Sequence, residues 1–110
     1  MFFPGRIEIV SRTFDYSLQD SAIIHGRLLE VLSEEPIPYS RATILVVEMG
    51  VTTQDCNSGY FSIKIPPGTY TLRVSDDRYL RKENAQYLKI ANILPNEKVK
   101  VIFYRPTAVF

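Results

Sequence analysis

The chain is poor in the residues that carry most chemistry. Its 110 residues include one histidine, His25, one cysteine, Cys56, and no tryptophan. A single cysteine excludes an intrachain disulfide and a cysteine-rich zinc site. A three-histidine zinc centre is excluded too, and His25 with Cys56 supplies at most two ligands of those types. Hydrolysis that relies on several positioned imidazoles has nothing to work with. An excess of one charge is also missing: 13 basic and 12 acidic residues leave a formal net charge of +1. That balance gives no electrostatic case for nucleic acid as a partner. The one local basic cluster, Arg78, Arg81 and Lys82, reads as a solvated loop. No apolar run approaches the roughly 18 residues of a membrane helix, so no membrane insertion is expected. Met1–Arg6 shows no charged segment followed by an apolar one, so no secretory signal is expected. The expected location is the cytoplasm, or a particle assembled there.

Other active-site signatures are missing as well. There is no nucleophile elbow for a serine to occupy and no glycine loop to cradle phosphate. Asp55, Asn57 and Ser58 have the residue types of a calcium loop, but EF-hand spacing and its distal glutamate are absent. Asp55 reads instead as a turn residue bonding its own backbone. Cys56 sits in the same turn, and the adjacent carboxylate opposes the depressed pKa that a reactive thiol needs. The expectation is a non-enzyme without metal or cofactor.

Strand and turn signals are abundant. Seven tyrosines and six phenylalanines accompany many β-branched residues, a composition that suits strands. Residues 55–74 read as turn, strand, corner and strand. Phe61, Ile63 and Ile65 alternate with Ser62 and Lys64, so one set points inward and the other outward. Pro66-Pro67-Gly68 ends that strand, and Tyr70, Leu72 and Val74 resume the alternation. Asp55, Gly59, Pro67, Gly68 and Tyr70 are the expected structural turn residues.

The same alternation predicts strands over Ile7–Phe14, Ile23–Val31, Thr43–Glu48, Val51–Thr53, Tyr60–Ile65, Thr69–Ser75, Tyr87–Ile93 and Val99–Arg105. No ten-residue stretch shows helical periodicity. The inward set is Ile24, Gly26, Leu28, Ala42, Ile44, Val46, Phe61, Ile63, Ile65, Tyr70, Leu72, Val74, Val99, Val101 and Phe103. The expected fold class is all-β: an antiparallel Greek-key β-sandwich of about seven strands, with an additional N-terminal strand or arm.

The outward phase is unusually apolar, with Ile23, Leu29, Val31, Leu45, Val47, Ile102 and Tyr104. Strands that are apolar on both faces are normally covered on both. In the N-terminal segment Ile7 and Ile9 share one phase, while Val10, Phe14, Tyr16 and Leu18 share the other, as at a bulge or a change of sheet. Residues 1–21 are therefore an extension, either a strand of their own domain or an arm on a neighbour's sheet edge. The candidate interface is Ile7, Ile9, Phe14, Tyr16, Leu29, Val31, Ile102 and Tyr104.

Four segments in order carry a family likeness: Ile24-His25-Gly26-Arg27-Leu28, Pro36 through Ile44, Thr52 through Ile63, and Pro66 through Leu72. They give a strand with a central glycine, a proline-to-alanine approach to the next strand, a threonine-threonine turn ending in glycine, and a Pro-Gly-x-Tyr corner. Together they resemble the carboxypeptidase regulatory-like domain over residues 22–110. Departures are Ser40-Arg41 before Ala42, Ser58 before Gly59, and Asp77-Arg78-Tyr79 after the last strand of the match. The resemblance implies a transthyretin-like (prealbumin-like) sandwich and a non-catalytic module. The transthyretin-like 5-hydroxyisourate hydrolases use several histidines, an arginine and a C-terminal Tyr-Arg-Gly-Ser. Tyr104-Arg105-Pro106-Thr107 matches that only in part, and His25 reads as a solvent-facing strand residue.

The expected function is a structural or adaptor subunit acting by protein–protein contacts, with itself or another protein. A phage-tail-like or contractile-injection particle is a fitting context. The alternative is a carbohydrate- or peptide-binding module using Tyr39, Tyr79 and Tyr87, with a transthyretin-like hydrolase the remoter choice.

Overall fold

A computed structural model of the chain describes residues 2–3, 6–30, 42–54, 59–76, 86–105 and 107–108, with side chains for most of them. The architecture is all-β, with ten strands among the described residues, in chain order: β1 (Phe2–Phe3), β2 (Arg6–Phe14), β3 (Ala22–Glu30), β4 (Ala42–Val46), β5 (Val51–Gln54), β6 (Tyr60–Ile65), β7 (Gly68–Asp76), β8 (Gln86–Ile93), β9 (Glu97–Arg105) and β10 (Thr107–Ala108). Eight of them form two four-stranded sheets, β2-β9-β3-β6 and β5-β4-β7-β8. All neighbours are antiparallel except β3 and β9, which run parallel. The short strands β1 and β10 pair with each other, and a 3₁₀ turn at Tyr16–Leu18 links β2 to β3.

Alternation decides which side chains meet between the sheets. Ile24, Leu28, Phe61, Ile63, Val99, Val101 and Phe103 from the first sheet share one core with Ile44, Val46, Leu72, Val74 and Ile90 from the second. The inward set expected from the sequence is buried throughout, save that the Ala42 side chain lies outside the described residues. Ala22, Ile90 and Ile93 complete the core.

Gly26 is buried because nothing larger fits. It faces Val101 across the parallel pair. A Cβ there would fall on the Val101 carbonyl and approach Phe61 to 3.0 Å. At the Pro66-Pro67-Gly68 corner, the buried Tyr70 donates its hydroxyl proton to the Pro66 carbonyl at 2.8 Å. Buried Gly59 has φ of 74°, a left-handed conformation glycine adopts freely. Its carbonyl accepts from the Leu28 amide at 2.7 Å. Asp55 lies outside the described residues.

The N-terminal segment is the outer strand of the first sheet. β2 pairs with β9 from Arg6↔Tyr104 to Phe14↔Glu97, with a bulge between Ile9 and Ser11. The extra residue, Val10, absorbs the phase change visible in the sequence. Ile7 and Ile9 therefore share a face with Arg12 and Phe14, and Arg6, Glu8, Ser11 and Thr13 take the other.

Gly26→Ala is expected to cost about 3 kcal/mol or more, because backbone cannot move aside as a side chain does. Urea unfolding followed by circular dichroism checks this; a loss within about 0.5 kcal/mol would show that β3 and β9 can separate without penalty.

Candidate interaction surfaces

The candidate interface residues divide once the sheets form. Ile7 packs partly against the core. Leu29 and Tyr104, expected on an open outer face, are each only 7% exposed. They sit side by side in the β3–β9 register, and the Arg6 guanidinium lies 3.9 Å from the centre of the Tyr104 ring. Their burial is within the chain itself, which corrects their expected place on an exposed surface. Ile102 is half-buried, and Val31 lies outside the described residues. The residues left open belong to β2 and the turn after it: Ile9, Val10, Phe14 and Tyr16, the last 78% exposed. The Phe14 and Tyr16 rings stack with centres 6.4 Å apart. Leu94, also exposed, belongs to the β8–β9 turn.

A polar clamp fixes this strip. Arg12 grips Glu97 in a bidentate pair, with Nε–H donating at 2.8 Å and a terminal nitrogen at 2.9 Å. The same terminal nitrogen donates to the Ala91 and Asn92 carbonyls of β8, in the opposite sheet. Glu97 also accepts from the Leu94 amide at 2.9 Å. The bond from Arg12 holds the Glu97 carboxyl below its ordinary pKa against the opposing effect of burial, with help from the Leu94 amide. Next to it, Asn96 has φ of 66° after Pro95, the pattern of a type II turn. Asn96 accepts from the Asp15 and Asp20 amides and donates to the Ser21 carbonyl. The β2–β3 and β8–β9 connections are thereby tied together.

The outer face of the first sheet gathers positive charge. Strand register places Lys64, Ile23, Lys98 and Thr13 in one row, Ser62, His25, Lys100 and Ser11 in the next, and Tyr60, Arg27, Ile102 and Glu8 in a third. Arg6 beside Tyr104 begins a fourth. Five cations thus face two carboxylates, Glu8 and, just after β2, Asp15, which feels the charge of Lys98: a local +3 (five minus two) on a chain whose formal charge is +1. Glu8 lies 3.8 Å from Arg6, with both side chains half-exposed. Arg27 lies 4.6 Å from the centre of the Tyr60 ring, and its buried Nε has no hydrogen-bond partner among the described residues. A shallow hollow of about 310 Å³ is lined by Ile23, His25, Tyr60, Phe61, Ser62 and Lys98. Burial, and then the charges of Lys98 and Lys100, lower the pKa of His25.

Charge counted over the whole chain hides this face. The signal lay in strand phase: Arg27, Lys64, Lys98 and Lys100 all occupy outward positions. His25 proves half-buried on this face, and as the sole imidazole it has no second one to work with. Of the suggested sugar-stacking rings, Tyr87 is exposed on β8, while Tyr39 and Tyr79 lie outside the described residues. Among the described residues no three His, Cys, Asp or Glu side chains group as a metal site, and no helix is long and apolar enough to cross a membrane. No family model and no curated protein matches the chain.

The folded pKa of Glu97 lies below its unfolded value, so its ionised form stabilises the fold above the ordinary value of 4.5. That stabilisation is lost as pH falls through the lower folded value. Glu97→Gln is expected to cost about 2 kcal/mol at pH 7, less than a fully buried pair because a third of Arg12 is open to solvent. It should also flatten the acid limb of stability against pH, measured by urea unfolding across that limb; an unchanged limb would assign it to other carboxylates. In NMR titration, His25 should show a pKa below 6.5 that rises in Lys98→Gln and Lys100→Gln. No rise in either variant would mean that burial alone sets it.

Proposed function

We propose that this chain is a non-catalytic structural or adaptor module, a Greek-key sandwich of the transthyretin-like kind, acting through protein–protein contacts in a larger assembly. The strand order supports the fold: the chain crosses between sheets after β3, β5, β6 and β8, and makes local hairpins within the second sheet. The observation that carries the function is the exposed apolar strip of Ile9, Val10 and Phe14 on β2, an edge strand, continued by Tyr16 in the turn after it. Edge strands are normally blunted by charge, and an apolar one invites a further strand or an apolar partner surface. Arg12 and Glu97 anchor that strip, so its shape is set before any partner arrives. A phage-tail-like or contractile-injection particle, built from many small subunits, is an assembly in which such a surface would be used.

The test combines light scattering of the purified chain with photo-crosslinking at position 16 in cells. The expected results are association that grows with concentration, or a discrete adduct, either one abolished by Val10→Lys with Phe14→Lys. A chain that stays monomeric at high concentration and forms no adduct overturns the proposal.

A further inference from the structure

We infer that the outer face of the first sheet is a docking surface for an extended acidic segment of a partner protein. The inference is independent of the β2 strip, since it uses different residues. Its first support is charge complementarity. Arg6, Arg27, Lys64, Lys98 and Lys100 face outward together against two carboxylates, Glu8 and, near Lys98, Asp15. Such a face repels its own cations: after burial, the charges of Lys98 and Lys100 add to the lowering of the His25 pKa. An anionic occupant relieves that repulsion.

The second support is spacing. Lys98 and Lys100 are two residues apart on β9, a repeat of about 6.6–6.8 Å. An extended peptide presents alternate side chains at that same repeat. Carboxylates at every second position therefore match the two lysines in register. Lys64 stands in the Lys98 row with Ile23 between them, about 9.5 Å across two strand spacings. The third support is the hollow beside Lys98, whose walls include Ile23, Tyr60 and Phe61. It takes one apolar side chain from the same segment. The partner segment is thus acidic at alternate positions with one apolar anchor.

The rings of this face argue against single-stranded nucleic acid. Recognition of single strands relies on aromatic faces free to stack on bases. Here Tyr104 is buried under Arg6, and the half-exposed Tyr60 already has Arg27 over its ring. The formal charge of +1 also gives little long-range attraction to a phosphate polymer.

The test is fluorescence anisotropy of a labelled peptide of about ten residues, alternating glutamate and serine around a central leucine. The expected result is saturable binding at about 0.01 M salt, weakened roughly tenfold at about 0.15 M, where the screening length shortens from about 30 to 8 Å. Lys98→Glu with Lys100→Glu should weaken it by a further factor of about ten, while Lys89→Glu on the other sheet leaves it unchanged. Lys64→Glu, at an exposed side chain, repeats the test should the double variant fold poorly. The proposal fails if the peptide does not bind at low salt, or if its affinity ignores the changes at Lys64, Lys98 and Lys100. It also fails if a thymidine oligonucleotide of equal charge binds more tightly than the peptide.

Discussion

The bidentate pair between Arg12 and Glu97 is the constraint on which the open side of the molecule depends. The two sheets share a core, but hydrophobic contact is non-directional and does not fix how β2 meets β8. Arg12 supplies direction. From the first sheet it holds Glu97 with one edge of its guanidinium and reaches two carbonyls of β8 in the second. A lysine could not do this, because its single ammonium has no planar fork. Asn96 extends the same logic into the turns on either side. The apolar strip on β2 is a rigid feature because of this polar frame beneath it.

Much of the fold was legible in the sequence, and for a plain reason. Where one strand face is buried and the other wet, alternation writes the fold directly into residue order. Tyr60–Ile65 shows this well, with Phe61, Ile63 and Ile65 inside and Tyr60, Ser62 and Lys64 outside. The bulge at Val10 was visible as a change of phase. The outer face was harder. Leu29 and Tyr104 read as exposed apolar residues because their phase points away from the core, yet they are buried on that side. Burial there depends on neighbours such as Arg6, distant in sequence and joined only by register. The Arg12–Glu97 pair is invisible in residue order for the same reason, being 85 positions apart. Strand phase predicts direction, but pairing between distant strands decides what a residue meets.

The two sides of the first sheet also divide its chemistry. Inward, Gly26 is reduced to backbone so that Val101 and Phe61 can close over it. Outward, the same strand carries His25 and Arg27 into a field of lysines. The strip on β2 is apolar and the broad face beside it cationic. A small domain with both can engage two chemically different surfaces, one through shape and one through charge.

The parallel pairing of β3 with β9 has a consequence for how the chain comes into being. Ile24 meets Val99 about 75 positions later, so the central seam of the first sheet closes only after nearly the whole chain is available. The second sheet has no such delay, since β4–β5 and β7–β8 are neighbours in sequence. During synthesis β4, β5 and β7 of the second sheet can pair first and wait, core side exposed, for β8 and β9 to emerge. Long-range closure of this kind is slow. In that interval Ile44, Val46, Leu72 and Val74 are the residues most open to mispairing, so the vulnerable face of this protein in its first moments is the one best hidden once it is complete.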